Sequence, residues 1–242
     1  MTEYLNLDTW SWASTLREIS LLVTRQNPAT RVYHLMGTLR HDDDDFTFEY
    51  YPGVEHEPGF RTIPGFPSTQ RTYRSSVLFP LFSSRLMSES RPDRAEWLES
   101  LGLPEDASSF TILGRSLGKR LGDDFELYPE PQIDYARKTP TAELPLHGLR
   151  YQDAGLSALA EGRLSAGDAL AIRPEPENPH DVNALEVYMT DGTKLGYVPA
   201  PILKYLERAG LLDGTPSAHA VHVNPEQYGH HQRVILAISW QF

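Results

Sequence analysis

Hydrophobic positions change period along the chain, and the changes divide it. In residues 9–24, TWSWASTLREISLLVT, apolar side chains recur at roughly helical spacing, which predicts a short amphipathic helix or a helix leading into a strand. VYHLMGTL (32–39) and FTFEYY (46–51) alternate with period two around RHDDDD, so they predict a β-hairpin with a solvated acidic loop. The Asp run lacks the spaced ligands and central Gly of a calcium loop, and a plain turn is expected. Residues 52–72, rich in Pro and Gly, predict an irregular surface loop. VLFPLFSSRLM (77–87) and RPDRAEWLESLGL (91–103) have helical character, the second with Pro92 near its start. FTILGRSLGKRLGDDFELYPEP (110–131) reads as helix, turn and strand. PQIDYARKTPTAELP (131–145) is polar, Pro-bounded and without period, which predicts a linker over 131–143.

Beyond it the elements shorten. LPLHGLRY (144–151) predicts a strand and QDAGLSALAEG (152–162) a helix ending on Gly162. DALAIRPE (168–175), NALEVYM (183–189) and KLGYVP (194–199) predict strands, the last two joined at Asp191-Gly192. PILKYLERAG (201–210) is bounded as a helix by Pro and Gly, and HAVHV (219–223) and RVILAISW (233–240) complete the strands. Short strands with few helices suggest a small barrel. The expected fold class is α+β: a small α+β domain over 1–130, the linker, and a barrel with two helices over 144–242.

Composition narrows the function. Of the 242 residues 40% are hydrophobic, and the mean hydropathy of −0.43 suits a soluble chain with a real core. No apolar run reaches the roughly 18–20 residues of a membrane span, and MTEYLNLDTW does not read as a secretory signal. A cytoplasmic location with no membrane partner is expected. The absence of Cys excludes disulfides, thiolate zinc sites and a Cys nucleophile. Net charge is −11, with 15 basic and 22 acidic residues up to Pro145 and 7 and 11 after it. Neither part suits a protein that coats a phosphate backbone, so nucleic-acid binding would have to be local and discriminating.

One stretch concentrates polar signals between two apolar runs: IRPEPENPHDVNALEVY, 172–188. Asn178 precedes a proline and is pushed into an extended or turn conformation. Asp181 and Asn183 can organise nearby backbone. Side chains so fixed serve either to hold a small polar group or only to build the turn. GRSLGK (114–119) superficially resembles a phosphate loop, but it has three residues between its glycines where four are needed, and Arg120 where Ser or Thr should stand. A helix-to-strand turn is expected there. His219, His222, His230 and His231 could ligate a metal, yet no Cys and only Glu226 accompany them, so no metal or other cofactor is expected. No G-x-S-x-G, H-E-x-x-H or paired-carboxylate pattern is visible, and the chain reads as a non-enzyme, with a hydrolase or nuclease as a third reading.

"GLRY" (148–151), "GDALAIRPEPENPHDVNALEV" (167–187) and "KLGYVP" (194–199), in that order, resemble the HIRAN domain. That family occurs at the front of eukaryotic DNA-remodelling helicases and as short free-standing bacterial proteins. The resemblance implies a modified OB-like or SH3-like barrel that binds the 3′ end of single-stranded DNA. By position, Arg150 would contact a phosphate and Tyr151 would stack on the terminal base. Asn178 would help to hold the terminal nucleotide, and Asp181 would accept from the 3′-hydroxyl. His180, where the family often has Tyr, and Tyr197 of the Gly-Tyr-Val-Pro strand complete the expected DNA-binding set. Ala200 stands where the DNA-binding helicase members carry a Lys.

"LMGTL…FTFEYY", "LFPLFSSRLM" and "FTILGRSLGKRLGDDFELYPEP" resemble the small N-terminal subdomain of HipA-type protein kinases, which packs on the kinase body and helps to govern its state. The body itself has no counterpart after Pro131. The resemblance implies a protein-interaction element for a separate kinase or another partner; a shared fold without a partner stays open. The expectation is thus a binder of DNA 3′ ends, at damage, replication or invading DNA, that carries a partner module. The alternative is an adaptor without DNA binding, which the acidic charge, His180 and Ala200 favour.

Overall fold

The computed structural model describes residues 20–42, 45–120 and 122–242. Two antiparallel sheets dominate. The first contains β1 (Ser20–Gln26), β2 (Tyr33–Asp42), β3 (Asp45–Tyr50), β4 (Tyr73–Ser75) and β5 (Phe125–Pro129), in the order β4-β3-β2-β1-β5. Three short helices lie between β4 and β5: α1 (Pro80–Ser83), α2 (Arg94–Ser100) and α3 (Ser109–Ser116). The second sheet contains β6 (Gln132–Asp134), β7 (Thr139–Pro145), β8 (Ala169–Pro174), β9 (Leu185–Met189), β10 (Lys194–Tyr197), β11 (Thr215–Val223) and β12 (Val234–Gln241), in the order β10-β9-β8-β11-β12-β7-β6. Helix α4 (Asp153–Ala160) precedes β8, and α5 (Ala200–Arg208) follows β10. Among the described residues no helix is long and apolar enough to cross a membrane.

Several expectations are corrected by this arrangement. Of the two readings of 9–24, the strand at its end is present as β1, which excludes a helix running through to 24; the part before Ser20 lies outside the described residues. β1 lies between β2 and β5 with both faces covered: Leu21 and Val23 enter one core, Leu22 the other. A strand buried on both faces loses its alternation and reads as a continuous apolar run. Residues 77–87 and 91–103 are helical only over α1 and α2.

The polar stretch 131–143, expected as a linker, is a hairpin of β6 and β7, and β7 pairs with β12 from Thr141 to Pro145. Its Pro residues hid the strand. GLRY is not a strand either. β7 stops at Pro145; Gly148 takes the left-handed conformation (φ 78°) and turns the chain into a 3-10 turn over Leu149–Tyr151. Nor is a closed barrel formed among the described residues: the seven-stranded sheet ends on β10 and β6. Among the described residues, one bridge, His147 with Tyr197, ties the chain after β7 to β10, through His147 N to Tyr197 O at 3.1 Å and Tyr197 N to His147 O at 2.8 Å. Gly196 permits it, since a Cβ there would stand 2.1 Å from the His147 carbonyl.

The five-stranded sheet separates two cores. On one side Phe48, Phe66, Phe82, Phe110, Tyr50 and Tyr73 pack with Leu21 and Val23. On the other, Leu22 and Tyr128 join the mostly aliphatic core of the seven-stranded sheet, around Leu144, Val187, Ile202 and Trp240. Polar ties cross the same boundary. Arg115 on α3 meets Glu143 on β7 at 2.6 Å with both side chains buried. Tyr205 donates to Glu130 at 2.7 Å, and Asn224 donates to the Ser100 carbonyl. GRSLGK is indeed a helix end and turn: α3 stops at Ser116, and Leu117 and Gly118 both have positive φ.

Candidate functional site

The 3-10 turn, the 175–183 loop and β10 come together around Tyr197. A Cβ on Gly148 would lie 3.2 Å from the Tyr197 ring, so the turn that carries Arg150 and Tyr151 rests on that ring. From the other side, the Tyr197 hydroxyl helps to hold the Glu175 carboxylate, in the Arg-Pro-Glu-Pro run, in its ionised form. Tyr197 therefore stands between two stretches, 148–151 and 175–183, that lie 24 residues apart in the sequence.

On the turn, Tyr151 is 69% exposed. Exposed aromatic area of that size has no packing role. The Arg150 guanidinium lies over the Tyr151 ring, 4.6 Å from its centroid, and donates to the phenol oxygen. The pair presents a flat face and a cation to solvent.

The loop is organised by Asn178. Its Oδ1 accepts from the backbone of His180 at 2.9 Å and of Asp181 at 3.2 Å, and its Nδ2 donates to Glu175. This is an Asx turn, which an Asn before Pro favours. Most of the Asn178 side chain is thus spent on the turn, so its part is to hold the loop in shape. Asp181 Oδ1 accepts from Asn183 N at 3.0 Å; Oδ2 has no hydrogen-bond partner among the described residues. His180 is exposed, and the neighbouring Val182 is 71% exposed.

Two charged residues that sequence reasoning passed over complete the site. Lys194 donates to the Tyr197 hydroxyl at 2.7 Å, is ion-paired to Glu186, and sits 4.3 Å from the Tyr197 ring centroid. Burial pulls the Lys194 ammonium down, but the hydrogen bonds to Glu186 and Tyr197 outweigh it and hold the group above its usual range. Glu175 is held below the usual carboxylate range, chiefly by the Asn178 amide and further by Tyr197 and Lys194. The signal for both was available: Lys194 lies three positions before Tyr197, and Glu175 three before Asn178.

Beneath the bridge lies a polar cluster. The Tyr128 hydroxyl donates to Glu126 Oε2 at 2.5 Å, so it accepts from His147 Nε2 at 3.1 Å. Burial draws the His147 imidazole down to about 4, against the opposing pull of Glu126. Burial also pushes Glu126 up, but Lys119 at 2.8 Å and the hydrogen bond from Tyr128 prevail and keep it ionised. The terminal histidines are not gathered around a common point. His222 is bonded to Asn224 at 2.9 Å, and no group of three or more metal-ligating side chains occurs among the described residues.

Arg150, Tyr151, Asn178, Asp181 and Tyr197 all lie within one stretch that matches a known domain. Residues 141–230 match the HIRAN domain. No curated protein matches the chain. Among solved structures, a protein from Lactobacillus plantarum is 20% identical over 43% of this chain and 96% of its own, with a TM-score of 0.33. The HIRAN domain of human HLTF is 18% identical over 41% of this chain and 74% of its own, with a TM-score of 0.29. The HIRAN match begins within β7, in the segment expected as a linker, and takes in the turn, the Asx loop and β10.

Proposed function

We propose that the protein binds DNA through its HIRAN segment and reads the 3′ end of a single strand. The observation that carries this reading is the open Tyr151–Arg150 face beside the Asx loop, within the residues that match the HIRAN domain. A base stacked on Tyr151 contributes about 1–3 kcal/mol whatever its identity. Arg150 swings from the phenol to the adjoining phosphate, a better acceptor for a guanidinium. Asp181 Oδ2 accepts from a 3′-hydroxyl, and its charge opposes a terminal phosphate. Asn178 and Glu175 position the loop, and Tyr197 holds loop and turn at a fixed separation. His180 and Val182 supply the exposed rim. An acidic chain can act in this way because an end needs few phosphate contacts. The front sheet then serves as a protein-interaction element, a role suggested by the sequence resemblance to the HipA subdomain alone.

A second reading is an adaptor without DNA binding. Glu175, Glu186 and Asp181 crowd the site, and Ala200 supplies no cation where helicase members have one. Fluorescence anisotropy of the full chain with a labelled oligonucleotide separates the two. Binding of a free 3′-hydroxyl, weakened by a 3′-phosphate, with the discrimination abolished in Asp181→Ala, supports end recognition. Equal affinity for both ends, or no binding at micromolar protein, favours the adaptor.

A further inference from the structure

The Pro- and Gly-rich loop between β3 and β4 is not an idle connection. Tyr50 pins it from both sides: its hydroxyl donates to the Phe66 carbonyl at 2.7 Å and accepts from Ile63 N at 2.6 Å. Val54, Ile63 and Phe66 are buried beneath it. The segment 57–61 forms one wall of a pocket of about 190 Å³ whose other wall is the end of β1 and the start of β2. That volume is smaller than the roughly 300–1,000 Å³ of pockets for drug-sized ligands, so the fitting molecule is small.

The lining combines an apolar part, Met36 and Phe60 among it, with Arg25, Arg61, His34 and Glu57. His34 Nδ1 is bonded to Glu57 Oε2 at 2.8 Å, which fixes the ring and occupies one carboxylate oxygen. Arg25 gives only its Nε to Asp124, at 2.8 Å; its terminal nitrogens have no hydrogen-bond partner among the described residues. Arg61 has no hydrogen bond or ion pair among the described residues. Two guanidiniums line the pocket with donors to spare, Arg25 paired through one nitrogen with Asp124 and Arg61 with no bond among the described residues, while the one lining carboxylate, Glu57, is engaged by His34. Guanidinium donors match the oxygens of carboxylate and phosphate in geometry.

We infer that this pocket is a binding site for a small organic anion, a carboxylate or phosphate monoester with a flat apolar body, held by Arg25 and Arg61 against Met36 and Phe60. The wall is anchored before the ligand arrives, which lowers the cost of ordering it. The site lies on the five-stranded sheet and does not depend on the DNA-end reading.

The test uses benzoate and phenyl phosphate as probes and benzyl alcohol as the neutral control, titrated into the ¹⁵N-labelled full chain. At least one anion should shift the amides of Gly59, Phe60 and Arg61 with saturation, and benzyl alcohol should not. The two anions distinguish a carboxylate site from a phosphate site. Arg61→Gln should weaken binding roughly ten-fold or more, since it removes a charged hydrogen-bond donor. Arg61 supports no other residue, so an unchanged amide spectrum away from the loop checks that the variant is folded. No saturable shift with either anion at millimolar concentration, an equal response to benzyl alcohol, or unaltered affinity in Arg61→Gln would overturn the proposal.

Discussion

The two sheets use aromatic side chains in opposite ways. In the five-stranded sheet the rings turn inward: Phe48, Phe66 and Phe82 are almost wholly buried, and Phe48 and Phe66 stand 4.5 Å apart. Cations reach Tyr73 and Phe125 of that sheet as well, but both rings are buried. In the seven-stranded sheet the core is mostly aliphatic, and the tyrosines with cations over them stay nearer the surface. Arg150 covers Tyr151, Arg173 covers Tyr188 and Lys194 covers Tyr197, at 4.6, 4.4 and 4.3 Å from the ring centroids. A ring that packs adds to stability; a ring left open beside a cation adds little, and its area stays free for a ligand. The same residue type therefore predicts different mutational behaviour on the two sides of the molecule.

The sharpest way to break this comparison is to attack the boundary. Glu143→Ala breaks the buried Arg115–Glu143 ion pair and should cost up to about 3–5 kcal/mol in chemical denaturation. Because Leu22, Tyr128 and the seven-stranded sheet share one core, the variant should still unfold in a single transition. Two separated transitions would show that the sheets are independent units.

Acid should act next. A free imidazole takes its proton near 6.5, but His147 in the folded protein takes it only near 4, so the unfolded chain binds the extra proton between these values. Stability should fall as pH drops from about 6.5 to about 4, by up to about 3 kcal/mol, with no further loss from this group below that. His231, also drawn down by burial, acts in the same direction. His147→Gln should flatten the slope of unfolding free energy against pH, and an unchanged slope would place its cause elsewhere.

The smallest effect concerns Tyr197. Tyr197→Phe keeps the ring under Gly148 but removes the hydroxyl that accepts from Lys194 and favours the ionised form of Glu175. The loss should be about 0.5–1.5 kcal/mol of stability, with a comparable fall in DNA affinity as the loop loses its tether.

The sequence discloses these regions unevenly. The back strands from β8 to β10, α4 and α5 follow from alternation, Asp-Gly and the Pro and Gly boundaries, because each is a short element with one dry face. β1 stayed ambiguous between helix and strand because both of its faces are covered, and β7 escaped because Pro140 and Pro145 imitate a linker while Ala142 and Leu144 carry its burial. The site is legible as motifs, yet its assembly is not. No local pattern announces that Gly196 lets His147 and Tyr197 approach, or that Lys194 reaches both Glu186 and the Tyr197 phenol. Such pairings depend on which strands become neighbours, and this is settled by tertiary packing.

The central claim, that the open aromatic face in the segment matching the HIRAN domain serves a ligand and not the fold, is tested most directly on one variant. For Tyr151→Ala, affinity for single-stranded DNA with a free 3′-hydroxyl and the free energy of unfolding should be measured side by side. The account predicts a loss of about 1–3 kcal/mol in binding and a change within about 0.5 kcal/mol in stability. A variant that binds as before, or that loses stability in place of affinity, would contradict it.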